Sequence, residues 1–208
     1  KDILILDISK LEKSVFLKKN ISEKIKKHLE NTLYYNKNKT NIIPIYNLDK
    51  CNSKLIIIII QKKNDNYKDY INTITCIYEI IKNNTNTISI TCDFINEHNI
   101  LNRNIYWKIK QFILNINNKI YDFCYLKQKN EKKITIDSIT FIEKKKQILD
   151  IYNKAINDSN HTVSSVNYSK NISNLPSNIC TPSYISNEAK KICKYYKKIS
   201  TIILNKKD

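Results

Sequence analysis

Leu55-Ile56-Ile57-Ile58-Ile59-Ile60 is the longest apolar run in a chain of 208 residues. It is far too short to cross a bilayer, which takes about 20 apolar residues. As a strand it has no polar face, so it needs cover on both sides. That predicts a strand at the centre of a sheet with helices above and below it. Upstream, residues 42–46 read as a second strand, joined by a turn at 47–53 to the strand at 54–61 that holds the run, and residues 3–8 alternate as a third. Between them Ser22 opens a helical pattern in which Ile21, Ile25, Leu29 and Leu33 recur every fourth residue. Downstream, Asp65 or Asn66 can cap a helix with the stripe Ile71, Ile74, Ile77, Tyr78 and Ile81. A turn at 83–86 and a strand at 87–92 follow. The longest helical pattern runs over 103–125, with Ile105, Ile109, Phe112, Ile113, Ile116, Ile120 and Phe123 on one face. A charged loop, a strand at 134–141 and a helix from 143 to about 170 complete the order β-α-β-β-α-β-α-β-α. Strands alternating with helices predict an α/β fold, a three-layer mixed and mostly parallel sheet.

Composition removes whole classes of function. The chain has no glycine and no methionine, and its net charge is +17. Gly-rich phosphate loops, dinucleotide fingerprints, nucleophile elbows and EF-hand loops all need glycine for positive φ or close backbone approach. Tight turns must therefore rely on asparagine or aspartate. Isoleucine, lysine and asparagine are heavily over-used, alanine stands only at 155 and 189, and arginine only at 103. This pattern reads as an AT-rich genome's codon bias, which also supplies lysine. The lysine pairs and runs, Lys132-Lys133 and Lys144-Lys145-Lys146 among them, are the candidate nucleic-acid contact. They are spread along the chain, and a solvated cationic face is the simpler reading. The cysteines at 51, 76, 92, 124, 180 and 193 show no metal-ligand spacing and read as buried free thiols of a reducing cytoplasm. His28, His98 and His161 are scattered, Asp93 and Glu97 have no third partner, and Tyr168 and Ser169 have no activating base in view. No signal peptide or membrane span is visible.

The composition shifts after residue 170. Thr181 can cap a helix that begins at Pro182, where a missing N–H costs nothing. Tyr184, Ile185, Ala189, Ile192, Cys193 and Tyr196 would form its inner face, and residues 199–204 read as a final strand. One helix and one strand cannot bury their own apolar faces, which implies a second domain of which only the beginning is here.

Residues 171–191 read Asn-Ile-Ser-Asn-Leu-Pro-Ser-Asn-Ile-Cys-Thr-Pro-Ser-Tyr-Ile-Ser-Asn-Glu-Ala-Lys-Lys. The stretch resembles the opening of the catalytic domain in the leucyl aminopeptidase (cytosol aminopeptidase) family. Asn174, Pro176, Asn178, Thr181 and Pro182 fall on that structural motif. Residues 103–111, Arg-Asn-Ile-Tyr-Trp-Lys-Ile-Lys-Gln, are similar to a helix of the bacterial aminopeptidase A branch. The resemblance implies a macro-domain-like N-terminal domain at 1–142, a linker helix at 143–170 and the beginning of the peptidase domain at 171–208. It further implies a cytoplasmic hexameric exopeptidase that releases N-terminal amino acids from peptides with two divalent metals, manganese or zinc. The family's metal ligands and catalytic residues lie beyond this region, so none is assigned, and this part is expected to be inactive, serving folding, assembly or DNA contact. Where the family carries glycines, this chain has Ser159, Ser164 or Ser165, Ser173, and Gln61-Lys62-Lys63. These departures leave open a truncated, non-catalytic relative that binds DNA or RNA.

Overall fold

A computed structural model describes residues 3–7, 41–46, 55–60, 66–82, 87–91, 95, 102–125, 136, 138–143 and 146–204. The expected helix from Ser22, the turns at 47–53 and 83–86, and His28, Cys51, Cys92, Asp93, Glu97 and His98 lie outside these residues.

The chain divides into two compact units. The first comprises Lys1–Tyr121 and Glu131–Val163, the second Asp122–Asn130 and Ser164–Asp208. The first unit is built on five strands: β1 (Ile3–Asp7), β2 (Asn41–Tyr46), β3 (Leu55–Ile60), β4 (Thr87–Thr91) and β5 (Ser138–Ile142). Their order across the sheet is β2-β3-β1-β4-β5. β1 runs parallel to both β3 and β4, with Ile3 opposite Leu55 and Ile88. β4 and β5 are also parallel, and β2 alone is antiparallel, to β3. The sheet is thus mixed and mostly parallel, as the alternation of elements predicts. The isoleucine run is an interior strand, but the middle place belongs to β1. Pro44 sits on β2, at the edge of this sheet, where a residue without an N–H removes no bond from an inner ladder.

Helix α1 (Tyr67–Ile81) starts at Asn66, whose side chain accepts the Asp69 N–H at 2.9 Å. Tyr70, Ile74, Ile77 and Ile81 recur at helical spacing and are fully buried. Helix α2 (Ile105–Ile120) starts at Asn104, which caps the Trp107 N–H at 2.9 Å. Its buried face holds Ile109, Phe112, Ile113 and Ile116. The Tyr70 hydroxyl donates to the Lys108 carbonyl at 2.9 Å and ties the two helices together. Phe112 meets Phe141 of β5 edge to face, ring centres 6.0 Å apart. Just before α2, Asn102 takes φ 53°, so asparagine supplies the left-handed turn that glycine usually makes.

α2 ends at Ile120, short of the expected 125. The last backbone bond runs from the Tyr121 N–H to the Asn117 carbonyl at 2.9 Å, and Tyr121 itself turns to ψ 123°, outside the helical range. Phe123 therefore leaves the helical stripe, and it stacks on Tyr125 in the second unit.

A short 3₁₀ turn, Lys146–Ile148, leads into α3 (Leu149–Ser173). The part of α3 within the first unit buries Tyr152, Ala155 and Ser159. Ser159 is fully buried and its hydroxyl donates to the Ala155 carbonyl at 2.5 Å. A small residue suits this buried face, and serine continues the helix there without a break.

Helix α4 (Pro182–Tyr195) belongs to the second unit and buries no residue. Within its expected inner face Tyr184, Ala189, Ile192 and Cys193 are half-buried, while Ile185 and Tyr196 are exposed. Residues 199–204 are not a strand, contrary to the sequence reading. An apolar alternation becomes a strand only beside another that shares its ladder, and no described strand pairs with it.

Candidate functional site

The motif residues build a corner between α3 and α4 in the second unit. The Asn174 N–H donates to the Lys170 carbonyl at 3.0 Å and the Leu175 N–H to Ile172 at 3.2 Å, closing the last turns of α3. The Pro176 carbonyl then accepts two N–H groups, from Ile179 and Cys180, both at 2.9 Å. Thr181 accepts the Tyr184 N–H on its hydroxyl at 3.2 Å, and Pro182 takes the first helical position. Asn178 is exposed within the same corner. These five residues are brought together as a chain reversal, and the bonds described are backbone-shaping ones.

A polar network closes the corner. The Tyr168 hydroxyl donates to Glu188 Oε2 at 2.6 Å, and the Lys191 ammonium donates to Glu188 Oε1 at 2.5 Å. These two hydrogen bonds hold the Glu188 carboxyl below the usual range. The bond to Glu188 pushes the Tyr168 phenol up to about 12. A phenol held neutral is a poor nucleophile, so Tyr168 serves as a strut. Glu188 is the partner that sequence reasoning missed, because it stands twenty residues away across the corner. Ser169 donates to the Ser165 carbonyl at 3.0 Å, an ordinary back-bond within a helix.

The second resembling stretch, residues 103–111, lies in the first unit and also packs. The Arg103 guanidinium sits 5.4 Å from the centre of the Trp107 ring. Tyr67 tilts against that ring at 5.5 Å and donates to Gln111 Oε1 at 3.1 Å. Tyr106 donates to Asp158 Oδ2 at 2.7 Å, which joins α2 to α3 and raises the Tyr106 phenol above its ordinary value. Lys108 is a buried residue, and loss of water around its ammonium lowers its pKa.

Of the lysines singled out as a nucleic-acid contact, Lys146 is exposed on the 3₁₀ turn. Lys132, Lys133, Lys144 and Lys145 lie outside the described residues. His161 is an exposed residue of α3. The described cysteines are in no disulfide, and they are not buried as expected: Cys76 and Cys124 are exposed, Cys180 and Cys193 half-buried. Cys76 lies on α1 between its buried positions, where the helical period turns it outward. Among the described residues no group of three or more His, Cys, Asp or Glu could hold a metal ion. No described helix is long and apolar enough to cross a membrane.

No protein-family model matches the chain. Curated relatives do. The probable cytosol aminopeptidase of Wigglesworthia glossinidia brevipalpis is 33% identical over 196 residues, 91% of this chain and 39% of that protein. The cytosol aminopeptidase of Buchnera aphidicola subsp. Acyrthosiphon pisum (strain APS) is 34% identical over 155 residues, 73% of this chain and 30% of that protein. The probable cytosol aminopeptidase of Blochmanniella floridana is 30% identical over 156 residues, 74% of this chain and 31% of that protein. The chain therefore spans 30–39% of the length of these relatives. Among solved structures, a lysine-to-glutamate variant of tomato leucine aminopeptidase superposes with a TM-score of 0.64 at 14% identity, covering 99% of this chain and 42% of that one. The bottromycin maturation enzyme BotP in complex with Mn gives 0.60 at 5% identity, over 93% of this chain and 36% of that one. At those identities the structures show a shared fold.

Proposed function

The chain belongs to the leucyl aminopeptidase (cytosol aminopeptidase) family, and from that premise we propose that it is the N-terminal part of a metal-dependent aminopeptidase that removes N-terminal amino acids from peptides. The observation that carries this reading is the 33% identity over 91% of the chain to a protein of which that match covers 39%. Residues 1–142 act as the N-terminal α/β domain, residues 143–170 as the linker, and residues 171–208 as the opening of the peptidase domain. Two features support this division. α3 is a continuous helix that begins in the first compact unit and ends in the second, and α4 carries an apolar face with no buried residue. Ile199, Ile202 and Leu204 are likewise exposed, as expected of a core whose other elements are elsewhere in the protein.

Divalent-metal dependence belongs to the same reading, supported by the Mn complex of the similarly folded BotP. The described residues offer no group that fits such an ion. The family resemblance assigns its ligands to other segments, so no step of the reaction is given to this chain. Its task is to fold, to join the linker to the peptidase domain through the Asn174–Pro182 corner, and to support assembly of a cytoplasmic hexamer.

The purified 208-residue chain, supplied with manganese and a leucine anilide, is expected to release no anilide above the buffer rate. Turnover that disappears on chelation and returns with manganese would place catalysis inside this chain and overturn the division of labour.

A further inference from the structure

We draw no further inference here: the strongest candidate, the exposed apolar surface formed by α4 and residues 199–204, belongs to the reading already proposed, and nothing in the structure shows what else covers it.

Discussion

Helices α1 and α2 of the first unit and helix α4 of the second begin in the same way and end up in different surroundings. Each is capped by a side-chain oxygen, from Asn66, Asn104 and Thr181, bonded to an N–H three residues on. Each repeats apolar residues at helical spacing. Yet α1 and α2 seat Tyr70, Ile74, Phe112 and Ile116 in a common core, whereas α4 has no buried residue. Capping and periodicity are local properties of a sequence. Burial depends on a neighbouring surface, and most helical stability in proteins comes from that packing. The contrast separates two helices that share a core from one with no buried face.

The largest expected effect breaks the shared core. Phe112→Ala removes a ring that is 1% exposed and packed on Phe141, and should cost about 3–5 kcal/mol. Ile185→Ala, on a residue 51% exposed, should stay within about 0.5 kcal/mol. Urea midpoints at constant slope compare the two. Equal losses would mean that α4 already has a buried face in this chain.

Overpacking comes next. Ser159→Leu should destabilise by about 1–3 kcal/mol because the site is fully buried against α3's own backbone. Ser159→Ala should be nearly harmless by comparison. A leucine variant with an unchanged urea midpoint would show that the face has room to spare.

Cap removal sharpens the comparison at about 1 kcal/mol per helix. Asn104→Ala should lower the protection of amides throughout the first unit, because α2 unfolds with its core. Thr181→Ala should speed amide exchange only around α4. Exchange followed by NMR separates the two patterns, and a global effect from Thr181→Ala would contradict the separation.

The smallest effect concerns the corner. Tyr168 has its phenol raised from 10.0 to about 12, so its bond to Glu188 favours the neutral form. The sign follows from linkage: this contribution is fully present below pH 10 and is lost as pH rises through 12. Tyr168 is a solvent-exposed side chain, so the effect on stability is small. A phenolate absorbance titration should lose one late-titrating tyrosine in Tyr168→Phe. An unchanged titration curve would show that the bond is not formed in solution.

Much of the sheet was legible because buried strands and capped helices leave local marks. Thr181 and Pro182 fall where the sequence places them, Asn66 is one of the two caps it offers, and β4 at Thr87–Thr91 lies within the expected 87–92. Sheet order leaves no such mark: nothing in Leu55–Ile60 says that β1 takes the middle place. Phe123 continues the apolar period of α2, but the period does not mark the turn of the backbone out of the helix at Tyr121. Residues 199–204 alternate as a strand should, and alternation says nothing about whether a neighbour is present. At the corner, the sequence marks the helix start at Thr181 and Pro182. It leaves no mark of the Tyr168–Glu188 bond, because that bond joins residues on two different helices.

The most direct measurement uses a chimera. These 208 residues replace the matching part of the Wigglesworthia glossinidia brevipalpis relative, to which they are 33% identical over 196 residues. Leucine-anilide hydrolysis with manganese is then assayed beside the parent. The expected result is a soluble chimera with manganese-dependent turnover, with the 208-residue chain alone inactive. A soluble, folded chimera without turnover, beside an active parent, would contradict the claim that this chain is the N-terminal part of a working aminopeptidase.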